Sequence, residues 1–306
     1  MSVQATPTDQ TTRTASMVRR GGNVSIGRIL VELLKYTVLL ALSFSFVLPL
    51  IWMFVSSIKT DSQVYTIPPI WLPNPALWEN FWNAWTTYDF NLFAFNTLFR
   101  LAIPTTIGVT LSSAIVAYGF SRIRWKGRDA LFFVCLATMM VPFAVTMVPL
   151  FIIFKNLGWI NTFLPLVVPA FFGSPYFIFM LRQFFMTIPV DLSEAARIDG
   201  ANEFQIMWQI ILPLTKSALT VVALFQFMNA WNDYLGPLIY LRRADQYVLA
   251  LGLADLRRTI AGTGAAPLAY PYLMSVSTIV TAPILIAFFL AQRTFIEGIS
   301  LTGLKG

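Results

Sequence analysis

Six long apolar segments alternate with more polar connections along the chain. Each is close to the roughly 20 apolar residues that an α-helix needs to cross the hydrocarbon core of a bilayer. The segments cover residues 36–58, 93–120, 130–154, 163–181, 217–241 and 272–290. The fourth is interrupted by three prolines and a glycine between residues 165 and 175, which neighbouring helices of a bundle can accommodate. The pattern predicts an all-α integral membrane protein with six transmembrane helices.

Composition agrees with this class. Hydrophobic residues make up 57% of the 306 residues and charged residues only 11%, whereas soluble domains are about 25% charged. The chain has no histidine and a single cysteine, Cys135. The usual metal-ligand sets and nucleophile–base pairs are therefore missing, and we predict neither a metal site nor an enzyme.

The 21 lysines and arginines are distributed unevenly across the predicted membrane. With the N-terminus inside, fourteen fall inside, six fall outside and Arg100 lies within the second span. Because cytoplasmic loops carry the basic excess, both termini are predicted to be cytoplasmic. The excess is thus a topology signal and not a sign of nucleic-acid binding. Residues 1–29 are polar and are interpreted as a disordered cytoplasmic tail, ahead of a membrane domain over residues 30–306.

The connection between the fourth and fifth spans predicts two short helices at an angle. Asp191 is a candidate N-cap with Glu194 three residues later, and Gly200 suits the left-handed residue that ends a helix. Asn202, with a glutamine three positions on, repeats the capping pattern for a second helix. On these rules alone the segment is either a functional feature or a surface hairpin that only returns the chain to the membrane.

The same connection carries a motif. It reads Glu-Ala-Ala, three residues, Gly, nine residues, Ile, one residue, Leu-Pro, and it resembles the signature of binding-protein-dependent ABC importer permeases. The matching residues are Glu194, Ala195, Ala196, Gly200, Ile210, Leu212 and Pro213. The resemblance implies that these residues, with Asp199 beside the glycine, form a cytoplasmic coupling loop between helices 4 and 5 that docks on an ATPase subunit.

Two further stretches resemble the carbohydrate-uptake branch, in particular its smaller, maltose-type permease subunit. They are residues 231–238, which begin Trp-Asn-Asp-Tyr, and the C-terminal residues 292–306. Glu297 departs from the basic residue that such tails often carry, which leaves open how the tail meets the ATPases. The resemblance implies a permease for a sugar or oligosaccharide in a bacterial or archaeal cell (inner) membrane.

The chain has no Gly-x-x-x-x-Gly-Lys-Ser/Thr loop for nucleotide phosphates. The resemblance places ATP and Mg²⁺ on two copies of a partner ATPase, and predicts no cofactor in this chain. It also implies a second permease as heterodimer partner and an extracellular or periplasmic solute-binding protein. Residues 242–271 are a candidate contact for that binding protein, or else a plain connecting loop. Residues 60–92, rich in Pro and Trp, are interpreted as an interfacial cap, with contact to an external partner as the alternative.

Polar side chains in the fifth span are candidates for the translocation path. Gln226, Asn229 and Asp233 fall at helical spacings of three and four and so share one predicted face. Asn232, from the motif above, joins them. Such amide and carboxylate groups suit sugar hydroxyls, but they also suit hydrogen bonds between helices. Arg100 and Asp233 lie at similar predicted depths, which suggests an ion pair near the outer gate.

Two other classes compete with this interpretation. An ion-coupled secondary transporter of small polar solutes would ordinarily have ion-coupling groups near the midplane and an internal repeat, and Asp233 alone is thin support for it. An intramembrane enzyme is disfavoured because histidine is absent.

Overall fold

The computed structural model describes residues 26–263 and 269–300, and every regular element in these ranges is a helix. The first half contains α1 (Ile26–Ser57), α2 (Asp61–Val64), α3 (Glu79–Thr87), α4 (Phe90–Phe95), α5 (Ile103–Ser121), α6 (Arg128–Ala137), α7 (Phe143–Asn156) and α8 (Leu164–Val167). The second half contains α9 (Pro175–Met186), α10 (Val190–Ile198), α11 (Glu203–Ile206), α12 (Leu212–Leu214), α13 (Lys216–Trp231), α14 (Leu235–Tyr240), α15 (Leu249–Thr263) and α16 (Ala269–Ser300).

Four helical stretches are long and apolar enough to cross a membrane: Ile29–Ser57, Phe90–Ser121, Leu164–Met186 and Tyr270–Gln292. Two more candidates are bent pairs, Arg128–Met140 with Phe143–Asn156 at 98° and Glu203–Leu214 with Lys216–Trp231 at 81°. The described residues therefore contain four to six candidate crossings by length and composition, and the predicted six requires each bent pair to count as one.

The third predicted span, residues 130–154, is not one continuous helix, and that expectation was wrong. The helix stops before Pro142, and Val141 adopts the extended conformation that a following proline favours. Hydropathy does not register this break, because the residues on both sides of it are apolar.

The second helical stretch is the centre of the fold. It comprises α4, a π-helical segment at Asn96–Ala102, and α5, and it packs against α9 and α13. Its small residues allow close approach: a Cβ at Gly108 would lie 2.9 Å from the ring of Phe171. Buried Ala117 of α5, Leu181 of α9 and Val222 of α13 belong to one apolar core.

Two arginines join the ends of α5 and α9 reciprocally. Arg122, just after α5, donates through Nη2 to the carbonyls of Phe185 (2.7 Å) and Ile188 (2.8 Å) at the end of α9. Arg182 of α9 donates through Nε to the carbonyl of Phe120 (3.2 Å) at the end of α5. Cations at helix C-termini satisfy the last carbonyls and the helix dipole. From the sequence, Arg122 and Arg182 are interpreted as orientation signals. They also fix the ends of α5 and α9 relative to each other, just before α10 begins.

The segment after α1 is tied to the end of that helix. Asn80 is fully buried and donates through Nδ2 to the carbonyls of Ser57 (2.9 Å) and Lys59 (3.0 Å). Lys59 is also fully buried, with its ammonium 3.9 Å from the Trp52 ring centroid, and burial lowers its pKa. Asn80 thus holds this segment against the end of α1, and the interpretation of residues 60–92 as an interfacial cap stays a prediction.

The described chain forms two units, divided between Pro49 and Leu50. In the first, the described side chains of α1 are exposed. Because α1 begins at Ile26, the last four residues of the predicted tail are helical. Residues 1–25 lie outside the described residues, as do residues 301–306 and the side chains from Arg293 to Ser300, which carry the C-terminal resemblance.

Candidate functional site

The turn between α10 and α11 has the backbone expected from the sequence. Gly200 has φ +85°, in the left-handed region, so the prediction of a glycine-ended helix is confirmed. The N–H of Gly200 donates to the carbonyl of Arg197 (3.1 Å), and that of Ala201 donates to the carbonyl of Ala196 (2.9 Å). These bonds satisfy the last carbonyls of α10, as in other left-handed helix ends.

The two predicted helix caps have different outcomes. Asn202 and Gln205 form the reciprocal capping box: the Asn202 Oδ1 accepts from the Gln205 N–H and the Gln205 Oε1 accepts from the Asn202 N–H, both at 2.9 Å. The Asp191 cap is wrong, because Pro189 holds the N-cap position without a side-chain hydrogen bond. Asp191 lies instead in the first turn of α10, where a negative charge favours the helix dipole.

The motif residues divide between the bundle and the surface. Ala196 is buried in the apolar core that contains Ile206 and Ile211, and this contact fixes the segment against α5 and α9. Ile210 and Leu212 are half-buried, while the remaining motif residues are exposed: Glu194, Ala195, Asp199, Gly200 and Pro213. The motif thus has one side for packing and one side for solvent or a partner.

Large apolar side chains lie on that second side. Ile198 is 86% exposed, Phe204 66% and Trp208 51%, and the Phe204 and Trp208 rings stack with centroids 6.1 Å apart. Exposed apolar clusters among polar residues are typical of protein–protein contacts. The segment from Val190 to Leu214 therefore presents a partly apolar exposed face of the kind that protein contacts use.

A hydrogen-bonded chain that the sequence did not predict ties this segment to the second helical stretch. Glu203 accepts from the Tyr118 hydroxyl at 2.6 Å and from the Arg197 Nε at 2.8 Å. The Arg197 guanidinium, with the Tyr118 hydroxyl, holds the pKa of the Glu203 carboxyl below its usual value. Three residues from α5, α10 and α11 are thereby joined through one carboxylate.

The fifth predicted span is interrupted where the path candidates lie. Helix α13 ends at Trp231 and α14 begins at Leu235, so a continuous helix over residues 217–241 was wrong. Pro237 has no N–H to bond to the Asp233 carbonyl, and Asn and Asp compete for backbone groups. The Asp233 Oδ1 instead accepts from the Gly236 N–H at 3.1 Å.

The break changes which polar groups share a surface. Gln226 and Asn229 lie on α13, the first half-buried and the second exposed, whereas Asp233 lies beyond the helix end and does not continue their face. Asn232 is exposed and donates to the Met228 carbonyl at 2.8 Å.

The Arg100–Asp233 ion pair is absent from the described structure. The Arg100 guanidinium lies 5.6 Å from the Phe95 ring centroid and 5.8 Å from that of Phe163, within cation–π range. Similar depth along two helices did not produce a contact, because depth does not specify the direction in which a side chain points.

Comparisons with known proteins decide the class. Residues 108–301 match the family described as "Binding-protein-dependent transport system inner membrane component". The chain belongs to this family. It is a transport permease and not an enzyme, and the family, as its name says, works with a binding protein.

Curated relatives of this permease cover nearly the whole chain. It is 32% identical over 274 residues to the lactose transport system permease protein LacG of Rhizobium radiobacter (90% of this chain, 97% of the relative). It is also 32% identical over 295 residues to the arabinooligosaccharides transport system permease protein AraQ of Bacillus subtilis (95% and 100%). The sn-glycerol-3-phosphate transport system permease protein UgpE of Yersinia pestis is 32% identical over 257 residues (82% and 89%).

A solved structure has the same fold. A bacterial ABC transporter involved in import of the acidic polysaccharide alginate aligns with a TM-score of 0.74 at 23% identity, covering 88% of this chain and 98% of that one. In this permease, no described group of three or more Cys, Asp or Glu side chains could hold a metal ion. The family assignment excludes the alternative of an ion-coupled secondary transporter.

Proposed function

We propose that this permease is the smaller, maltose-type subunit of an ATP-driven importer for a sugar or oligosaccharide. The segment from Val190 to Leu214 docks on an ATPase subunit, and α13 with its broken end lines part of the translocation path. Relatives named for lactose and arabinooligosaccharide transport support the sugar class.

The observation that carries the coupling assignment is the two-sided character of that segment. One side holds buried Ala196 and Ile206 against the bundle, and the other exposes Ile198 and Phe204. Force applied to the exposed side reaches α5 through Glu203 and Tyr118, which are 2.6 Å apart. A surface hairpin that only reversed the chain would need neither the exposed apolar side chains nor this link.

The path assignment is supported by the exposure of Asn229 and Asn232 and by the interrupted helix, and half-buried Gln226 precedes them on α13. Irregular backbone at membrane depth is tolerated where it is buried in protein or lines an aqueous cavity. Broken helices of this kind surround substrate sites in other transporters. In the assembled importer, the exposed amides of Asn229 and Asn232 face the second permease across the path.

The assembly that follows has one copy of this chain, a second permease, two ATPase copies that bind ATP and Mg²⁺, and an external solute-binding protein. Both termini lie in the cytoplasm of a bacterium or archaeon. They are on the same side as the segment from Val190 to Leu214, which is called the coupling segment below. The excess of basic residues on that side, including Arg122 and Arg182, supports this orientation.

Affinity purification and transport assays test this function with a matched pair of variants. Phe204→Ala removes a 66% exposed ring from the exposed face of the coupling segment, and Phe133→Ala removes a 71% exposed ring from α6. We expect Phe204→Ala to lower both ATPase copurification and ATP-driven uptake about tenfold, since exposed aromatic anchors dominate protein contacts. Phe133→Ala leaves both unchanged.

The energy source of uptake provides a second test of the proposed function. Uptake depends on ATP and continues after an ionophore collapses the ion gradients. Uptake that stops with the ionophore, in cells where no ATPase copurifies with the chain, contradicts the proposed function.

A further inference from the structure

A cavity of about 840 Å³ opens between α15, α16 and the break after α13. Its lining residues include Tyr234, Leu253, Arg257, Arg258, Leu273 and Met274. Ligand pockets are typically about 300–1,000 Å³, with mostly apolar walls and a few polar groups. This cavity has that composition, and no residue of the coupling segment lines it.

The charged side chains that line the cavity are all positive. Arg257 and Arg258 are the two charged residues that line it, and no carboxylate does. Neither arginine forms an ion pair within 4 Å of a described carboxylate, including that of Asp255 on the same helix. The undescribed residues 264–268, Gly-Ala-Ala-Pro-Leu, contain no acidic residue. Among the described side chains, the two guanidinium charges therefore lack an ion-pair partner within 4 Å.

One of the two arginines is oriented by a neighbour. The Arg258 Nη2 donates to the Tyr234 hydroxyl at 3.2 Å. A guanidinium has five donors in a planar fork, so this bond leaves others free for a ligand. Tyr234 belongs to the irregular stretch between α13 and α14, which also contains the path candidate Asn232.

The cavity lies at the end of the second helical stretch away from the coupling segment. Helix α15 packs against Phe90 and Phe93 at the start of that stretch, and Tyr118, which contacts Glu203, follows Phe93 by 25 residues. At 1.5 Å per residue this separation is about 37 Å, more than the hydrocarbon thickness of a bilayer. Under the proposed orientation, the cavity opens on the side from which cargo arrives.

We propose that this cavity binds the oxyanion of an acidic saccharide, so that the imported sugar carries a carboxylate or phosphate. The inference rests on the proposed function and specifies its substrate class. Arginine pairs with carboxylates and phosphates through two parallel hydrogen bonds, and Leu253, Leu273 and Met274 supply apolar contacts for the C–H faces of a sugar ring. A guanidinium can also donate to the hydroxyls of a neutral sugar, but only an anionic ligand neutralises its charge and adds charge-assisted hydrogen bonds.

Direct binding to the assembled transporter in nanodiscs of zwitterionic lipid, with the binding protein omitted, tests the proposal. The probes are two matched pairs: trigalacturonate against trigalactose, and glucose 6-phosphate against glucose. We expect at least one acidic probe to bind about tenfold or more tightly than its neutral partner. The double variant Arg257→Gln/Arg258→Gln reduces that preference to about twofold or less, and the preference of the unmodified protein weakens with added salt.

Arg242→Gln is the matched control, because Arg242 is exposed in the same connection but does not line the cavity. It leaves the preference unchanged. Equal binding of acidic and neutral probes overturns the proposal. Two companion assays use nanodiscs with anionic lipid and nanodiscs with added binding protein. An effect of the double variant that appears only as lost retention of anionic lipid, or only as weaker docking of the binding protein, also overturns the proposal.

ATPase copurification from the same preparation distinguishes a failure of the substrate-class proposal from a failure of the proposed function. If the ATPase copurifies but acidic probes are not favoured, the substrate class is wrong and the importer assignment stands. If no ATPase copurifies, the proposed function itself fails.

Discussion

Charged side chains have bonded partners in one region of the permease, the coupling segment, and lack ion-pair partners in another, the cavity beside α15. In the coupling segment the Arg197 guanidinium and the Tyr118 hydroxyl both bond to Glu203, at 2.8 and 2.6 Å. In the cavity, Arg257 and Arg258 have no ion-pair partner among the described residues. The bonded carboxylate of Glu203 is suited to transmit movement between helices, whereas the unpaired guanidinium groups of the cavity are suited to bind a ligand. The contrast is the basis for the different tasks that we propose for these two regions.

The largest expected effect comes from the turn of the coupling segment. Gly200→Val places a β-branched residue at φ +85°, where a non-glycine residue costs roughly 1–2 kcal/mol and a β-branched one more. Nothing lies within 4 Å of a Cβ at this position, so the cost comes from the backbone and not from a clash. We expect ATP-driven uptake to fall to background while the protein still inserts in the membrane, as measured by transport and by membrane-fraction immunoblot.

Gly200→Asn is the control for that substitution, because Asn tolerates the left-handed conformation. It should retain most of the uptake. Normal uptake by Gly200→Val at normal expression would remove the basis for the coupling assignment.

A smaller effect is expected from the link between the coupling segment and α5. Glu203→Gln keeps the size of the side chain but removes its charge, which weakens the bond to Arg197. Bonds to charged groups contribute about 1.5–3 kcal/mol, less here because Glu203 and Arg197 are both more than a third exposed. We expect the ratio of sugar transported to ATP hydrolysed to fall roughly fivefold.

Tyr118→Phe tests whether the hydroxyl acts through Glu203. If it does, Tyr118→Phe/Glu203→Gln is no worse than Glu203→Gln alone. Asp191→Asn is the control, because it removes a carboxylate from the same segment at a residue that forms no helix cap. It leaves the ratio of sugar transported to ATP hydrolysed unchanged. Equal losses from Asp191→Asn and Glu203→Gln would show that segment charge, and not the link, matters.

The smallest expected effect concerns Arg100 and Asp233 near the broken helix. Because they form no ion pair, Arg100→Gln and Asp233→Asn should act independently on uptake, with free-energy effects that add within about 0.5 kcal/mol. Asp233→Asn keeps an oxygen that can accept from the Gly236 N–H, so its own effect should be slight. A coupling energy above about 1 kcal/mol in the double-mutant cycle would mean that the two groups pair in another state of the transport cycle.

Local sequence rules predicted the coupling segment well because its structure is local. Gly200 and the Asn202–Gln205 capping box each depend on residues within a few positions, and both have the expected geometry. The prediction of Asp191 as an N-cap was wrong because Pro189, two residues earlier, occupies the N-cap position. The link from Glu203 to Tyr118 spans 85 residues, and no local pattern marks it.

The sequence by itself determined the membrane class, the permease family and the position of the coupling turn. These follow from hydropathy, from a motif and from short-range backbone preferences, which the order of residues records directly. The breaks in the third and fifth spans have local causes at Pro142 and Pro237, which hydropathy alone does not register. The tertiary structure alone decided which charged groups meet and that Arg257 and Arg258 line a cavity with residues of α16. Such outcomes depend on how each helix is rotated against its neighbours, and in helices that are apolar on every side the sequence pattern does not encode that rotation.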